Sequence, residues 1–372
     1  MTNPLLQKWS TPFEMPPFED IQAAHFPEAF NQALSHHQHE IQAIASQKQA
    51  PSFQNTLLAL EASGELLNQT SALFFNLSAS HTSPEIQAIE RDMSPKLAAH
   101  SAAMFLNAAL FERINKLHQE RTNLGLDAES IRLIERYHLD FVRAGANLKD
   151  KDRQTFANYS EKLASCFTQF SQNVLADEAA FCLVLTEADQ LKGLPDFVKS
   201  AAKQLAKERG LEQHNAHAFT LSRSSITPFM TFSERRDLRK SMWLAWCKRG
   251  ENPGAHNNET VMKEILKIRL AQARLLGYQN FSEYALADTM AGSAANARDL
   301  LMRVWTPARL RAIQEREDLK MLSGLSDLAA WDWHFWTERV RKEKFDLNEA
   351  EIKPYLQLHK LMEAMFHVAN RL

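Results

Sequence analysis

The sequence predicts a mostly α-helical protein carrying a small β insert, and three observations carry that reading. From Lys151 onward, Phe156, Tyr159, Leu163, Cys166, Phe167, Phe170 and Val174 recur at intervals of three and four, which puts them on one helical stripe. Such a stripe is core packing, not a cofactor box. Only 10 glycines and 13 prolines occur in 372 residues, too few for a loop-rich or β-rich design. Two short runs alone have β character, Ala180 to Leu185 and Ala218 to Leu221. They support a hairpin-like inset within 180–186 and 217–222, with a helix between them from about Asp196 to Arg209.

Taken in order, the first twenty residues are irregular, because Pro4, Pro12, Pro16 and Pro17 cannot sit inside one helix. Helices follow from about Ile21. Ser83-Pro84-Glu85 is a helix start: a serine cap, a proline at the first helical position and a carboxylate at the positive end. That helix is expected to run to about Leu117. Beyond the β insert, helices are expected from Ser233 to Lys248 and from Glu259 to Leu276, the second closed by Gly277. Ser293 caps a further long helix to about Leu322, and Ser323-Gly324 with Ser326-Asp327 marks a break before Trp331. The sequence boundaries fall near 147 and 325: 1–147 as a first helical lobe, 148–325 as a second with the β insert, and 326–372 as a further region. Gly145 and the charged turn Lys149-Asp150-Lys151-Asp152 mark the first of these.

Composition excludes several classes of function. The chain is 45% hydrophobic and 24% charged, ordinary for a soluble globular protein. A net charge of −2 gives no electrostatic case for nucleic acid or an anionic membrane. The N-terminal MTNPLLQKWSTPFEM lacks the apolar core of a signal peptide, and no stretch has the apolar length of a membrane span. Cys166, Cys182 and Cys247 are odd in number and widely spaced, as free thiols in a reducing cytoplasm would be.

The metal-like signal is His36-His37-Gln38-His39-Glu40. Zincin chemistry needs two imidazoles one turn apart with the glutamate as base, and Ala43 stands where the second ligand of His39-Glu40 would be. The cluster reads as a solvated polar helix face. Nucleophile elbows and glycine-rich phosphate loops are absent, and Glu349 and Glu351 sit in an ordinary charged run. Trp331, Trp333 and Trp336 read as packing residues, and Arg235-Arg236 and Arg339-Val340-Arg341-Lys342 are interleaved with acids.

The run from Trp331 to Leu372, WDWHFWTERVRKEKFDLNEAEIKPYLQLHKLMEAMFHVANRL, resembles the stretch upstream of the active site in thimet-oligopeptidase-like zinc metallopeptidases. Further blocks resemble that family in the expected order: Asn3 to Leu6, Phe18 to Ile21, Phe53-Gln54-Asn55-Thr56 with Leu60-Glu61, Asp140 to Leu148, and Arg269 to Met290. The resemblance spans nearly the whole chain. Lys353-Pro354-Tyr355-Leu356-Gln357-Leu358 favours the peptidyl-dipeptidase branch over oligopeptidase A, while Phe335-Trp336 stands where the family often has paired tyrosines.

That resemblance implies a two-lobed helical ellipsoid, of which this is the N-terminal part, split by a channel with one zinc ion at its floor. It implies short peptides as substrates, release of C-terminal dipeptides and a monomeric complete enzyme, with neither nucleic acid nor membrane as partner. It implies that 326–372 opens the catalytic region. The Trp331 segment should return to pack near the first lobe. In the family, zinc-bound water attacks the carbonyl after its pKa falls from about 15.7 to 7. The zinc ligands, the base and the substrate-binding tyrosines and histidine all lie downstream of the Leu372 position. No His-Glu-x-x-His occurs in the chain, so no catalytic, cofactor-binding or metal-ligating residue is assigned within it. The expectation is a non-catalytic half of a peptidyl-dipeptidase, inactive alone and interrupted in mid-helix at Leu372. The alternative is a catalytically inactive peptide-binding or partner-subunit protein.

Overall fold

The structure, a computed structural model, describes residues 3–211, 215–345 and 349–372; Asp346 to Asn348 of the C-terminal run lie outside them. It is mostly α-helical with one two-stranded sheet among the described residues. Packing divides the chain into two compact units, Met1–Val174 with Gly254–Ala297 and Leu175–Pro253 with Arg298–Leu372. These divisions come at other positions than the sequence boundaries near 147 and 325.

The first unit holds α1 (Phe26–Ala45), α2 (Ala59–Glu61), α3 (Glu65–Ser80), α4 (Pro84–Phe105), α5 (Ala108–Glu120) and α6 (Ala128–Arg143). Most of α7 (Asp150–Ala180) belongs to it, with α11 (Glu259–Leu275) and α12 (Phe281–Leu286). α1 is central, packing on α3, α4 and α5. Its Phe26 and Phe30 meet Phe74 of α3 edge-on, at centroid separations of 5.1 and 5.3 Å, all three fully buried. Fully burying a side chain of this size contributes about 1.5–3 kcal/mol. Farther along α1, Ile41 and Ile44 pack with Ile114 of α5 and Phe141 of α6.

The helix start at Ser83 is as expected, with the Ile86 amide donating to Ser83 Oγ at 3.2 Å. The helix does not reach Leu117. Asn107 breaks it, because its side chain accepts from the Leu110 amide at 3.0 Å and caps a new helix, α5. The α7 stripe is packing: Leu163, Tyr159, Cys166 and Phe170 meet Val261, Ile265 and Ile268 of α11. α11 ends at Gly277 (φ +85°), where the Tyr278 amide reaches back to Ala273 O and the Gly277 amide to Arg274 O. A side chain there would be strained, and glycine closes the helix without that cost.

The second unit holds β1 (Leu183–Leu185), α8 (Asp196–Glu208), β2 (His217–Phe219), α9 (Arg223–Phe232) and α10 (Arg236–Cys247). It continues with most of α13 (Ala294–Ser323), and with α14 (Trp333–Phe345), α15 (Glu349–Ile352) and α16 (Leu358–Arg371). The strands pair antiparallel with Leu183 opposite Phe219 and Leu185 opposite His217. Their core side, with Leu185 and Phe219, packs with Val198 of α8, Phe229 of α9 and Met242 of α10. α9 escaped the sequence reading, since Pro228 sits inside it. The Trp331–Phe345 part of the C-terminal run packs on α9 and α10 of this unit, with Trp331 edge-on to Trp243 at 5.7 Å. Among the described residues, no helix is long and apolar enough to cross a membrane.

Candidate functional site

Two of the sequence blocks meet in the first unit, around the end of α6. Arg136 donates to Asp140 on its own helix and to Asp288 Oδ2 at 2.7 Å, just past α12. About two turns on, Arg143 Nη2 donates to the Tyr284 carbonyl at 2.9 Å, and the Tyr284 hydroxyl donates back to the Arg143 carbonyl at 3.2 Å. The guanidinium carbon lies 4.7 Å from the Tyr284 ring centroid, a cation–π contact. Burial pushes the Tyr284 hydroxyl pKa up, against the opposing effect of Arg143. Tyr284 is therefore a neutral donor and not a base. The block 140–148 and the block 269–290 are thus one structural joint.

A cavity of about 520 Å³ opens beside this joint. Phe105, Phe156 and Phe167 give it apolar walls, and Arg143, Gln272 and Tyr284 supply polar groups. Gln272 donates to Ser160 Oγ at 3.0 Å, so the polar edge is already ordered. Nothing there pairs a nucleophile with a base. The cavity is equipped to hold a chain segment or side chain, with donors to fix it.

The histidine cluster on α1 splits. His36 and His39 are exposed, as a polar helix face requires, but His37 turns inward. Its Nδ1 lies 2.9 Å from His100 Nε2 on α4, and its Nε2 lies 3.3 Å from Ser63 Oγ. Glu40 accepts from the Gly64 amide at 2.8 Å, and His36 approaches it at 3.6 Å. Gly64 has φ +74°, and a Cβ there would sit 3.0 Å from the His37 ring, so the glycine makes room for the histidine. Burial lowers the pKa of both His37 and His100. The solvated-face reading holds for His36 and His39 and is corrected for His37, whose partners come from distant sequence. His118 and His138, stacked at 3.8 Å on α5 and α6, form a second pair whose pKa values burial lowers.

Zinc does not fit what is described. No group of three or more His, Cys, Asp or Glu side chains that could hold a metal ion occurs among the described residues. His37 and His100 have no third ligand, and their facing nitrogens already share a hydrogen bond.

The Phe53-Gln54-Asn55-Thr56 block is a clamp. Ser52 and Asn55 cap each other's backbone, and buried Arg113 donates to Asn55 Oδ1 at 2.8 Å and Thr56 Oγ1 at 3.1 Å. The same guanidinium reaches the carbonyls of Gln47 and Gln49 at 3.2 and 3.0 Å. Sequence reasoning missed Arg113, which has no local partner.

In the second unit, fully buried Asp332 receives Arg236 Nη2 at 2.7 Å and Arg239 Nη2 at 2.9 Å. The Ala329 amide adds a third donor at 3.1 Å. Burial alone would raise the Asp332 pKa, but these donors outweigh it and hold the carboxyl below its ordinary range. Arg239 also stacks on Phe335, 4.0 Å from the ring centroid. Beside this network lies a cavity of about 580 Å³ walled by Trp243, Trp246 and Trp333. The Trp331 segment is fastened by charge, with its tryptophans as packing and cavity wall.

Residues 229–372 match the model of peptidase family M3. The chain is 36% identical to a dipeptidyl carboxypeptidase of Salmonella typhimurium, over 100% of this chain and 55% of the relative. A dipeptidyl carboxypeptidase of Escherichia coli is 35% identical with the same coverage, and oligopeptidase A of that species is 26% identical over 100% of this chain and 55% of its own length. By that match and these relatives the chain is similar to members of peptidase family M3. It spans about half the length of the curated relatives it matches.

Proposed function

We propose that this chain is the non-catalytic, peptide-handling half of a zinc-dependent peptidyl-dipeptidase that releases C-terminal dipeptides from short peptides. The observation that carries the reading is the match of the whole chain to two dipeptidyl carboxypeptidases, although the chain has no His-Glu-x-x-His. In this reading the zinc ligands and the base come from the part of the relatives that this chain does not match. This chain helps to build the walls against which a short peptide is held, and 326–372 opens the catalytic region. The enzyme is cytoplasmic and monomeric when complete; Cys166, Cys182 and Cys247 are all free thiols, as a reducing compartment would leave them.

A second reading, a catalytically inactive peptide-binding or partner-subunit protein, is favoured by the cavity beside Arg143 and Tyr284, which has donors and apolar walls but no reacting pair.

The first reading is tested on the purified 372-residue chain by adding equimolar zinc, measuring retained metal, and assaying a short peptide for C-terminal dipeptide release. The expected result is no stoichiometric zinc and no zinc-dependent release. Zinc-dependent turnover that disappears when His36, His37 and His39 are replaced would overturn it.

A further inference from the structure

Three of the chain's seven tryptophans wall the cavity of about 580 Å³ in the second unit, and the functional reading makes no use of it. That volume falls within the range of about 300–1,000 Å³ that small-molecule sites occupy. Helical spacing builds the lining. Arg223, Ile226, Thr227 and Met230 recur on α9 at three and four, so they share one face. Trp243 and Trp246, three apart on α10, border the same space, and Trp333 of α14 completes the aromatic wall. Ile226 and Met230 also belong to the unit's buried core with Phe229 and Met242, which fixes their positions. The three indoles are only half-buried and keep ring surface for a further partner.

We propose that this cavity binds a small aromatic carboxylic acid, with its ring against Trp243, Trp246 and Trp333 and its carboxylate paired with Arg223. Charge chooses this ligand. No carboxylate lines the cavity, whereas Arg223 does. The neighbouring guanidinium groups are already matched: Arg236 and Arg239 bind Asp332, and Arg249 binds Glu178 at 2.7 Å. Arg223 has neither an ion pair nor a side-chain hydrogen bond among the described residues. Its planar fork of donors suits a carboxylate, which it can hold through two parallel hydrogen bonds. A cage of indoles could also attract a cation. Here a guanidinium stands among the lining groups, and Arg249 already lies 3.6 Å from the Trp246 centroid, so a second cation is repelled. A flat ring packs on indoles edge-on or offset, the first of which Trp331 already does on Trp243. The site lies wholly within the second unit and does not depend on the peptidase reading.

The test titrates the intact 372-residue chain with 3-phenylpropionate, which has no indole, and follows the protein's tryptophan emission. Parallel titrations use 3-phenylpropionamide, which keeps the ring without the charge, propionate, which keeps the charge without the ring, phenyltrimethylammonium, and the peptide Gly-Gly-Phe. The expected result is saturable binding of 3-phenylpropionate, at least about tenfold tighter than the amide, with no response to propionate. Arg223→Gln should weaken the acid at least about tenfold and leave acid and amide equal, a change that a merely structural role would not produce. Thr227→Phe, at an exposed position of the lining, should block acid and amide alike while the urea midpoint of the chain stays unchanged. Absence of saturable binding to the wild-type chain would overturn the proposal, as would equal affinity for acid and amide or binding that survives both substitutions. Tighter binding of phenyltrimethylammonium would overturn it in favour of a cation cage. Binding of Gly-Gly-Phe without 3-phenylpropionate would overturn it in favour of a peptide terminus.

Discussion

The first unit closes on itself, whereas the second leaves two helices with their apolar faces in water. In the first, α1 buries Phe26 and Phe30 against Phe74, and even its inward histidine has a partner from another helix. In the second, the sheet, α8, α9 and α10 enclose an ordinary core, but α13 and α16 stand outside it. The two regions are written in the same alphabet of leucine, methionine and aromatics. What separates them is burial: the first unit encloses those side chains, and α13 and α16 leave them exposed.

Substitutions can break or sharpen that contrast. The largest effect is expected in the closed region: Phe74→Ala, at a fully buried ring touching two others, should destabilise the first unit by about 3–5 kcal/mol. Urea unfolding followed by amide exchange in α1 and α3 would measure it. Arg239→Ala should destabilise the second unit by about 3 kcal/mol, because it strips a buried carboxylate of one of its two guanidinium partners. Tryptophan emission is a suitable probe, since Trp243 meets Trp331, Trp246 and Trp333 wall the adjoining cavity, and Trp336 meets Phe335, on which Arg239 stacks. Next, Arg143→Ala should cost about 1.5–3 kcal/mol through its charged hydrogen bond and its contact with Tyr284, and should loosen α12 from α6. At the other end, Trp305→Ala in the isolated chain should change stability by no more than about 0.5 kcal/mol, as at any exposed site.

A pH series probes the first unit without mutation. Burial holds His37, His100, His118 and His138 of the first unit below the ordinary histidine pKa of 6.5. Around the first pair, His36 and Glu40 on α1 act in opposite senses on His37; around the second, Arg121 lowers both pKa values, and Glu135 opposes it at His118. A folded pKa below the unfolded value means that the unfolded chain binds more protons, so the stability is complete above pH 6.5 and is lost as pH falls through the folded pKa values. The first unit's urea midpoint should therefore fall between pH 7 and 5, and His100→Gln should flatten that fall.

Much of the fold was legible because it depends on local signals. The α7 stripe, the Ser83 and Ser293 caps and the Gly277 stop all act within one or two helical turns, and the structure has each of them. The break at Asn107 was missed because an asparagine among helix formers looks neutral until its side chain caps the next helix. Features of the candidate site were harder to see. Arg113 reaches residues 57 to 66 positions away, His37 meets its partner 63 positions away, and Arg239 meets Asp332 at a separation of 93. Periodicity carries no information about such pairs. Family resemblance marked the blocks that hold some of them, Asn55-Thr56 and Arg143 with Tyr284, but not the reason they occur together. α13 was legible as a helix and illegible as an exposed one, since its leucines, valine and tryptophan look in sequence like those of a buried helix.

Hydrogen exchange on the monomeric 372-residue chain, with its oligomeric state fixed by sedimentation, tests the contrast most directly. Amides of α1, α5 and α6 should exchange only through unfolding of the first unit. Those of α13 between Leu300 and Ile313 should exchange at nearly unprotected rates, because a helix without tertiary cover is marginal in water. Protection in α13 equal to that in α1, in a chain that sediments as a monomer, would contradict the account.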